Sequence, residues 1–469
     1  MTTNTVQKKW YEKLPHPYVI LFLIIVLAAI MTYIIPAGEF ERVKMIVGSR
    51  TRMGVKPGTF HYITQNPVGF FDMFLAIPKG LISAASIMVI VFASGALFKV
   101  LESSGAMENG VGVAVKHLGT NHDTKLLWIV TFIFAFLGAA VGFENLIALI
   151  PIAVFVSIAL GGDLLVGAGI SIGALGIAFA TSPINPYTVG TSDYIAQLPM
   201  FSGWPLRTAF CLTAVAITGF HTISYFRKVK ADPSYSFVKD ISTEGLSLTH
   251  AIEEYRLSGQ DKLVLSVFGV GLAAMLWGIF KYHWYINEMS AVFILLSILL
   301  GFAAKMGPSK IASLMIDGAS GVAGGALVVG VARAIQVVLE QGQIQDTIVN
   351  ALASPLQHMS VAVSAVLMSL VHCVINFFIP SGSGQAMATM PIMIPLSDLI
   401  GMTRQTAILA FQVGDGVTNM IYPTLGGLLA MLALARIPFD KWFRFAFPLI
   451  VKILLASWVY LVIAVFIGY

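Results

Sequence analysis

The chain has 469 residues, 57% hydrophobic and only 11% charged, with a mean hydropathy of +0.85. That balance excludes a water-soluble domain of this length and points to many membrane-crossing helices. The 28 Lys and Arg against 23 Asp and Glu leave a net +5, an excess that fits cytoplasmic loops of a membrane protein better than a nucleic-acid partner.

In chain order, apolar runs predict spans at 18–36 and 84–101, a hairpin-like pair within 125–160, a broken span at 164–200 and a closing span at 205–226. The first run is long, lacks a small-residue cleavage site and ends at Pro36 before a charged loop, so it reads as a retained span. After a polar stretch come 262–280, 288–304, 316–339, a second pair within 358–397, a broken span at 404–435, and 442–467. Cys211 and Cys373 both fall in apolar runs, which speaks against a disulfide framework or a thiolate metal site. The chain divides into a tail, first span and outside loop (1–83), a first repeat (84–226), a cytoplasmic linker (227–262), connecting spans (263–315) and a second repeat (316–469).

The repeats rest on a constant spacing of 240 residues: Gly142, Pro151, Gly161, Gly176 and Pro183 recur as Gly382, Pro391, Gly401, Gly416 and Pro423. Lys8, Lys9 and Lys13 put the N-terminus in the cytoplasm, and the cations of 227–262 with Lys305, Lys310, Arg436, Lys441 and Arg444 mark the same side. The outside loop 37–83 dissents, since it carries Arg42, Lys44, Arg50, Arg52, Lys56 and Lys79. With the pairs counted as re-entrant, the repeats start on opposite sides. The expected fold is therefore an all-α polytopic membrane protein of two inverted-topology repeats with re-entrant hairpins and broken helices. Duplication for packing alone is the plainer alternative.

Four breaks carry the candidate chemistry: Gly142-Phe-Glu-Asn145, Thr181-Ser-Pro-Ile-Asn-Pro186, Ser381-Gly-Ser-Gly-Gln385 and Tyr422-Pro-Thr-Leu-Gly-Gly427. Opened helices expose carbonyl oxygens, which suit a hard cation such as Na⁺, and N-terminal amides, which suit a carboxylate. Gly142, Asn145, Ser381 and Gly384 are the candidate Na⁺ positions, while Ser182 and Asn185 offer neutral hydrogen-bonding groups to a polar substrate. Each break taken alone is equally a kink held by a neighbouring helix. Glu144 and Asp415 are acids at bilayer depth, expected to serve as ligands or counter-charges for a coupling cation or a substrate ammonium. Arg333 either receives a substrate carboxylate or neutralises one of these acids; Lys452 is expected to snorkel, and His372 to be a hydrogen-bonded core residue. No Walker A loop, His-Glu-x-x-His or Gly-x-Ser-x-Gly elbow is present, so neither built-in ATP hydrolysis nor an enzyme is expected.

At Phe377-Phe-Ile-Pro-Ser-Gly-Ser-Gly-Gln385, Phe411-Gln-Val-Gly-Asp-Gly416 and Tyr422-Pro-Thr424 the chain resembles the YfcC-type transporters, grouped with the C4-dicarboxylate anaerobic carriers in the ion transporter superfamily. The resemblance covers essentially the whole chain. It implies a homodimer in a bacterial-type inner membrane, each subunit with a scaffold (1–83 and 263–315) and a transport domain that moves like an elevator. Carried over by residue, the site includes Glu144, Asn145, Ser381, Ser383, Gln385, Asp415, Asn419 and Thr424. The first tip departs from the pattern, because Gly142-Phe-Glu-Asn145 lacks the Ser-Gly-Ser of the second.

The break motifs hold two acids and no Lys or Arg, which favours an amino acid, including a basic one, or an anion accompanied by Na⁺. The leading expectation is a secondary transporter of an amino acid or similar small carboxylate, by exchange or by Na⁺ or H⁺ coupling, with no other cofactor. A C4-dicarboxylate carrier is the runner-up, and a cation/proton antiporter without organic substrate a further alternative. Its partners are the lipid bilayer and a small substrate.

Overall fold

A computed structural model describes residues 17–47, 50–118, 123–244, 246, 254–282, 284 and 286–469. Helix α1 (Pro17–Ile34) leads into two short antiparallel hairpins. Strands β1 (Gly38–Glu39) and β4 (His61–Tyr62) pair outside, β2 (Arg42–Val47) and β3 (Arg50–Val55) inside. Then follow α2 (Phe70–Ser83), α3 (Ala85–Ser103), α4 (Ala106–Leu118) and α5 (Asp123–Val141). A 3-10 turn (Glu144–Leu149) runs into α6 (Ile150–Ala159), and the first broken span comprises α7 (Leu164–Ala168), a π-helical turn (Gly169–Gly173) and α8 (Ala174–Thr181). Beyond its break lie a second π turn (Pro186–Gly190) and α9 (Thr191–Ile195), then α10 (Trp204–Ala231). Helices α11 (Gly259–Tyr282) and α12 (Ile286–Ala303) connect the halves.

The second half runs through α13 (Pro308–Gly321), α14 (Ala323–Gln341), α15 (Gln345–Ala353), α16 (Val361–Phe378) and α17 (Gly382–Leu399). It closes with α18 (Arg404–Thr418), α19 (Gly426–Leu434) and α20 (Phe439–Phe466). Nine helices among the described residues are long and apolar enough to cross a membrane. Burial divides them: the broken span 164–195 is 94% enclosed, whereas 259–279 is only 22% enclosed and turns its apolar face outward. A helix enclosed on all sides is apolar all round because every face meets protein. The broken elements therefore form the centre and the unbroken spans the wall.

Two of the repeated glycine pairs take matching places in both halves, whereas Gly142 (φ 121°) and Gly382, and Pro151 at a helix start and Pro391 inside α17, do not. Gly161 and Gly401 hold φ of 84° and 74° at the far ends of the two hairpin pairs, where only glycine avoids the left-handed penalty. Gly176 and Gly416 lie where the two broken spans cross: a Cβ on Gly416 would sit 2.7 Å from the Ala180 Cα, and one on Gly176 would collide with Met420 and Phe143. Asp163 and Thr403, also 240 apart, are both N-caps, accepting from the amides of Val166 (2.9 Å) and Thr406 (3.2 Å). Contacts also separate the two ends of the bundle. Lys230 at the end of α10 pairs with Asp123 at the start of α5, and Lys441 at the start of α20 pairs with Asp240. At the opposite end Tyr469 meets Gly203, and Gln405 meets Ser202.

Three expectations need revision. The span expected at 316–339 is two helices: α13 ends at Gly321, and Val322 (φ −107°, ψ 4°) separates it from α14. The glycines of 318–325 read as apolar continuity in sequence but lack the propensity to carry a helix through. The segment 37–83, expected only as a charged loop, holds four strands and the amphipathic α2. Ion pairs Arg42–Asp346 (2.8 Å) and Lys56–Glu41 (2.7 Å) engage two of the cations that dissented from the charge rule. Helices α4 and α15 have no counterpart among the predicted spans, being too short and polar to register as apolar runs. The orienting Lys8, Lys9 and Lys13 lie outside the described residues.

Candidate functional site

Both hairpin tips and both breaks open on one cavity of about 230 Å³. The first tip turns at Gly142, whose φ of 121° no side-chain-bearing residue adopts without strain. Gly142 and Phe143 line the cavity, while the side chains of Glu144 and Asn145 lie outside the described residues. At the second tip Ser381 caps α17, its Oγ accepting from the Gly384 amide at 3.4 Å. Ser381, Gly382 and Ser383 face the cavity, so the 18-residue α17 presents its N-terminal turn there. Free amides and the aligned helix dipole make that turn attractive to an anion.

The first break is stitched shut by its own polar residues. Asn185 accepts from the amides of Tyr187 (2.9 Å) and Thr188 (3.2 Å) and donates to the Phe179 carbonyl at 2.9 Å, so it bridges both sides of the gap. Ser182 donates to the Ala139 carbonyl at 2.9 Å, and Gln412 reaches across from α18 to the Ser182 carbonyl at 2.7 Å. Ser182 and Asn185 are fully buried behind the wall, and their hydrogen bonds hold the break. Phe179 and Tyr187, from the two sides of the gap, are what the first broken span turns toward the cavity.

The second break is tied from outside. The Trp442 indole donates to the Met420 carbonyl at 2.7 Å, and the Tyr422 hydroxyl to the Cys373 carbonyl at 3.0 Å. Asn419 lines the cavity; Thr424 instead lines a small adjoining crevice with Arg333 and Pro380. Asp415 lies beneath the second tip, close enough that a Cβ on Gly382 would come 3.3 Å from its Oδ2. Asn376 from α16 donates to the Asp415 carbonyl (2.6 Å), Thr418 Oγ1 (2.9 Å) and Asn419 Oδ1 (2.9 Å). Gln385 donates to the His372 carbonyl at 3.0 Å, and His372 is wholly enclosed against Phe411.

Around this second tip and the neighbouring first break, buried polar atoms without partners among the described residues accumulate: Thr188 Oγ1, Asn376 Oδ1, Gln385 Oε1, Gln412 Oε1, Asp415 Oδ1 and Thr424 Oγ1. All six are oxygens that can accept, and buried oxygens left unsatisfied cost about 1–3 kcal/mol each. Such a set fits a hard cation or a proton better than an anion. Of the sequence-derived Na⁺ positions, Gly142 and Ser381 line the cavity and the Gly384 amide is taken up by the cap. Among the described residues no trio of His, Cys, Asp or Glu could hold a metal ion.

The sequence left two roles open for Arg333, a receiver of substrate carboxylate or a neutraliser of an acid, and the structure puts it in the cavity lining. Its Nε donates to Ser83 Oγ at 3.2 Å, and no carboxylate pairs with it among the described residues. The signal was a lone cation inside the apolar Gly330-Val-Ala-Arg-Ala run.

The family profile "C4-dicarboxylate anaerobic carrier" matches residues 14–466. An uncharacterized protein of Haemophilus influenzae is 28% identical, covering 98% of both chains. A protein of Escherichia coli named "Putative basic amino acid antiporter YfcC" is 29% identical over 100% of this chain and 99% of its own. Among solved structures, the Alcanivorax borkumensis YdaH transporter aligns with 97% of this chain and 99% of its own, at 16% identity and a TM-score of 0.44.

Proposed function

This chain belongs to the C4-dicarboxylate anaerobic carrier family and is a multi-pass membrane transporter; from that premise we propose that it carries an amino acid or similar small carboxylate by alternating access. The observation that carries this reading is that Arg333 and the α17 N-terminus line one cavity. A substrate carboxylate would sit between them, hydrogen-bonded by the guanidinium and by the amides of Gly382 and Ser383. Ser381, Ser383 and Asn419 would orient the rest of the molecule. Asp415 and its neighbouring oxygens would hold the coupling Na⁺ or H⁺, or meet a substrate ammonium through the tip. Glu144 and Asn145 would complete the first tip, and Gln385 and Thr424 would support the second.

The two halves are inverted copies in this reading. The α5 start shares an end of the bundle with the close of α10, whereas α15, which precedes α16, packs beside β1 near the other end. The cations at 227–230 and 436–444 mark the cytoplasmic end, which puts α1 with its start inside. Division into scaffold and moving repeats, elevator-like displacement and a homodimer belong to the same proposal. The name of the Escherichia coli relative favours a basic amino acid. The cationic cavity wall favours a second reading, a C4-dicarboxylate.

Thermal unfolding of the purified protein separates these, because a ligand of the folded state raises the midpoint. An amino acid is expected to stabilise the protein, more so with Na⁺ or at lower pH. Stabilisation by succinate alone would establish the dicarboxylate reading, and stabilisation by Na⁺ without any organic hit would replace both with an ion antiporter.

A further inference from the structure

Away from the tips, a second cavity of about 460 Å³ lies between the ends of α10 and α20. Its wall carries Lys228, Arg444 and Lys452 and, among the described residues, no carboxylate. Among the described residues Lys228 reaches the Tyr235 hydroxyl, at 3.3 Å, and stands 5.2 Å over that ring. Arg444 lies 4.2 Å over Phe237. Lys452, thirteen residues into α20, has the His221 ring as its partner, 3.3 Å from Nδ1, while Nε2 of the same ring donates to the Phe445 carbonyl at 3.0 Å.

A lysine this far along a membrane helix is costly unless it snorkels or meets an opposite charge. Here Lys452 lines the same space as two cations nearer the helix ends. Beside the polar His221, Ser224, Tyr225 and Tyr235, the wall carries the apolar Ile217, Phe220, Phe237, Phe445 and Pro448, of which Phe220 turns outward at 68% exposed. Cations at the interface above an outward apolar wall match a phosphodiester headgroup with its acyl chains lying along the bundle.

We propose that this cavity is a binding site for an anionic phospholipid. Its phosphate sits among Lys228, Arg444 and Lys452, and its chains run down past Phe220. A free anion would use the same cations without needing the apolar wall, so the two sources are separable.

The test uses the full chain in detergent, supplemented with phosphatidylglycerol, phosphatidylcholine or inorganic phosphate. Phosphatidylglycerol is expected to raise the unfolding midpoint roughly 2–4 °C above phosphatidylcholine, and to dominate the lipid adducts in native mass spectrometry. The double variant Lys228→Gln with Lys452→Gln should lose that preference while matching the wild-type midpoint in phosphatidylcholine. The Lys228→Arg with Lys452→Arg pair should keep it. An undiminished preference in the Gln variant, its loss in the Arg pair, or an equal shift with inorganic phosphate would each overturn the lipid assignment. Because the readout is binding, none of these results depends on the transported substrate.

Discussion

Two side chains of opposite sign, Arg333 and Asp415, divide the work of the candidate site. Arg333 lines the cavity and Asp415 is enclosed; among the described residues no carboxylate pairs with the guanidinium and Oδ1 of Asp415 has no partner. Hydrogen bonds to a charged partner contribute about 1.5–3 kcal/mol, so Arg333→Gln is expected to weaken substrate binding roughly 10- to 100-fold, with little change in the unfolding midpoint. Isothermal titration checks it; unchanged affinity would take Arg333 out of the site. Asp415→Asn keeps the shape and the backbone contacts of Asn376, so it should fold normally yet lose the dependence of transport on Na⁺ or pH. Uptake that retains wild-type ion dependence would move coupling elsewhere. Asp415 was legible in the sequence because charges in apolar runs are rare. The role of Arg333 was not, because which way it faces depends on how α14 lies against α2, where Gly80 and Gly330 let the backbones touch.

Among the elements, the breaks are the informative ones. Proline and glycine announced all four, and the structure shows what holds the two within the broken spans: Asn185, Ser182 and Gln412 at the first, Trp442 and Tyr422 at the second. Asn185→Ala would strand the amides of Tyr187 and Thr188 inside the bundle, at a cost of about 2–6 kcal/mol. A clear drop in the unfolding midpoint is expected, and an unchanged midpoint would mean that other groups or water satisfy the gap. Polar residues in a break thus served two ends that sequence could not separate, since Ser182 and Asn185 hold backbone while Ser381 and Ser383 face space. The amphipathic helices α2 and α13 escaped notice for a related reason. Their apolar stripes are too narrow to resemble a span, yet they pack on α14 and α3 of the opposite half.

For the whole molecule, the spacing of 240 residues was the most legible feature, and its glycines prove to sit at tips, turns and the crossing of the broken spans. The enclosed broken spans inside a wall of outward-facing apolar helices are the frame on which the proposed alternating access rests. The most direct test is to place a single cysteine at Ser383, with Cys211 and Cys373 replaced by Ala, and label it with a membrane-impermeant maleimide from each side of oriented vesicles. Labelling from both sides, slowed by a ligand that stabilises the protein, is the predicted result. Labelling confined to one side in every condition would contradict alternating access at this cavity.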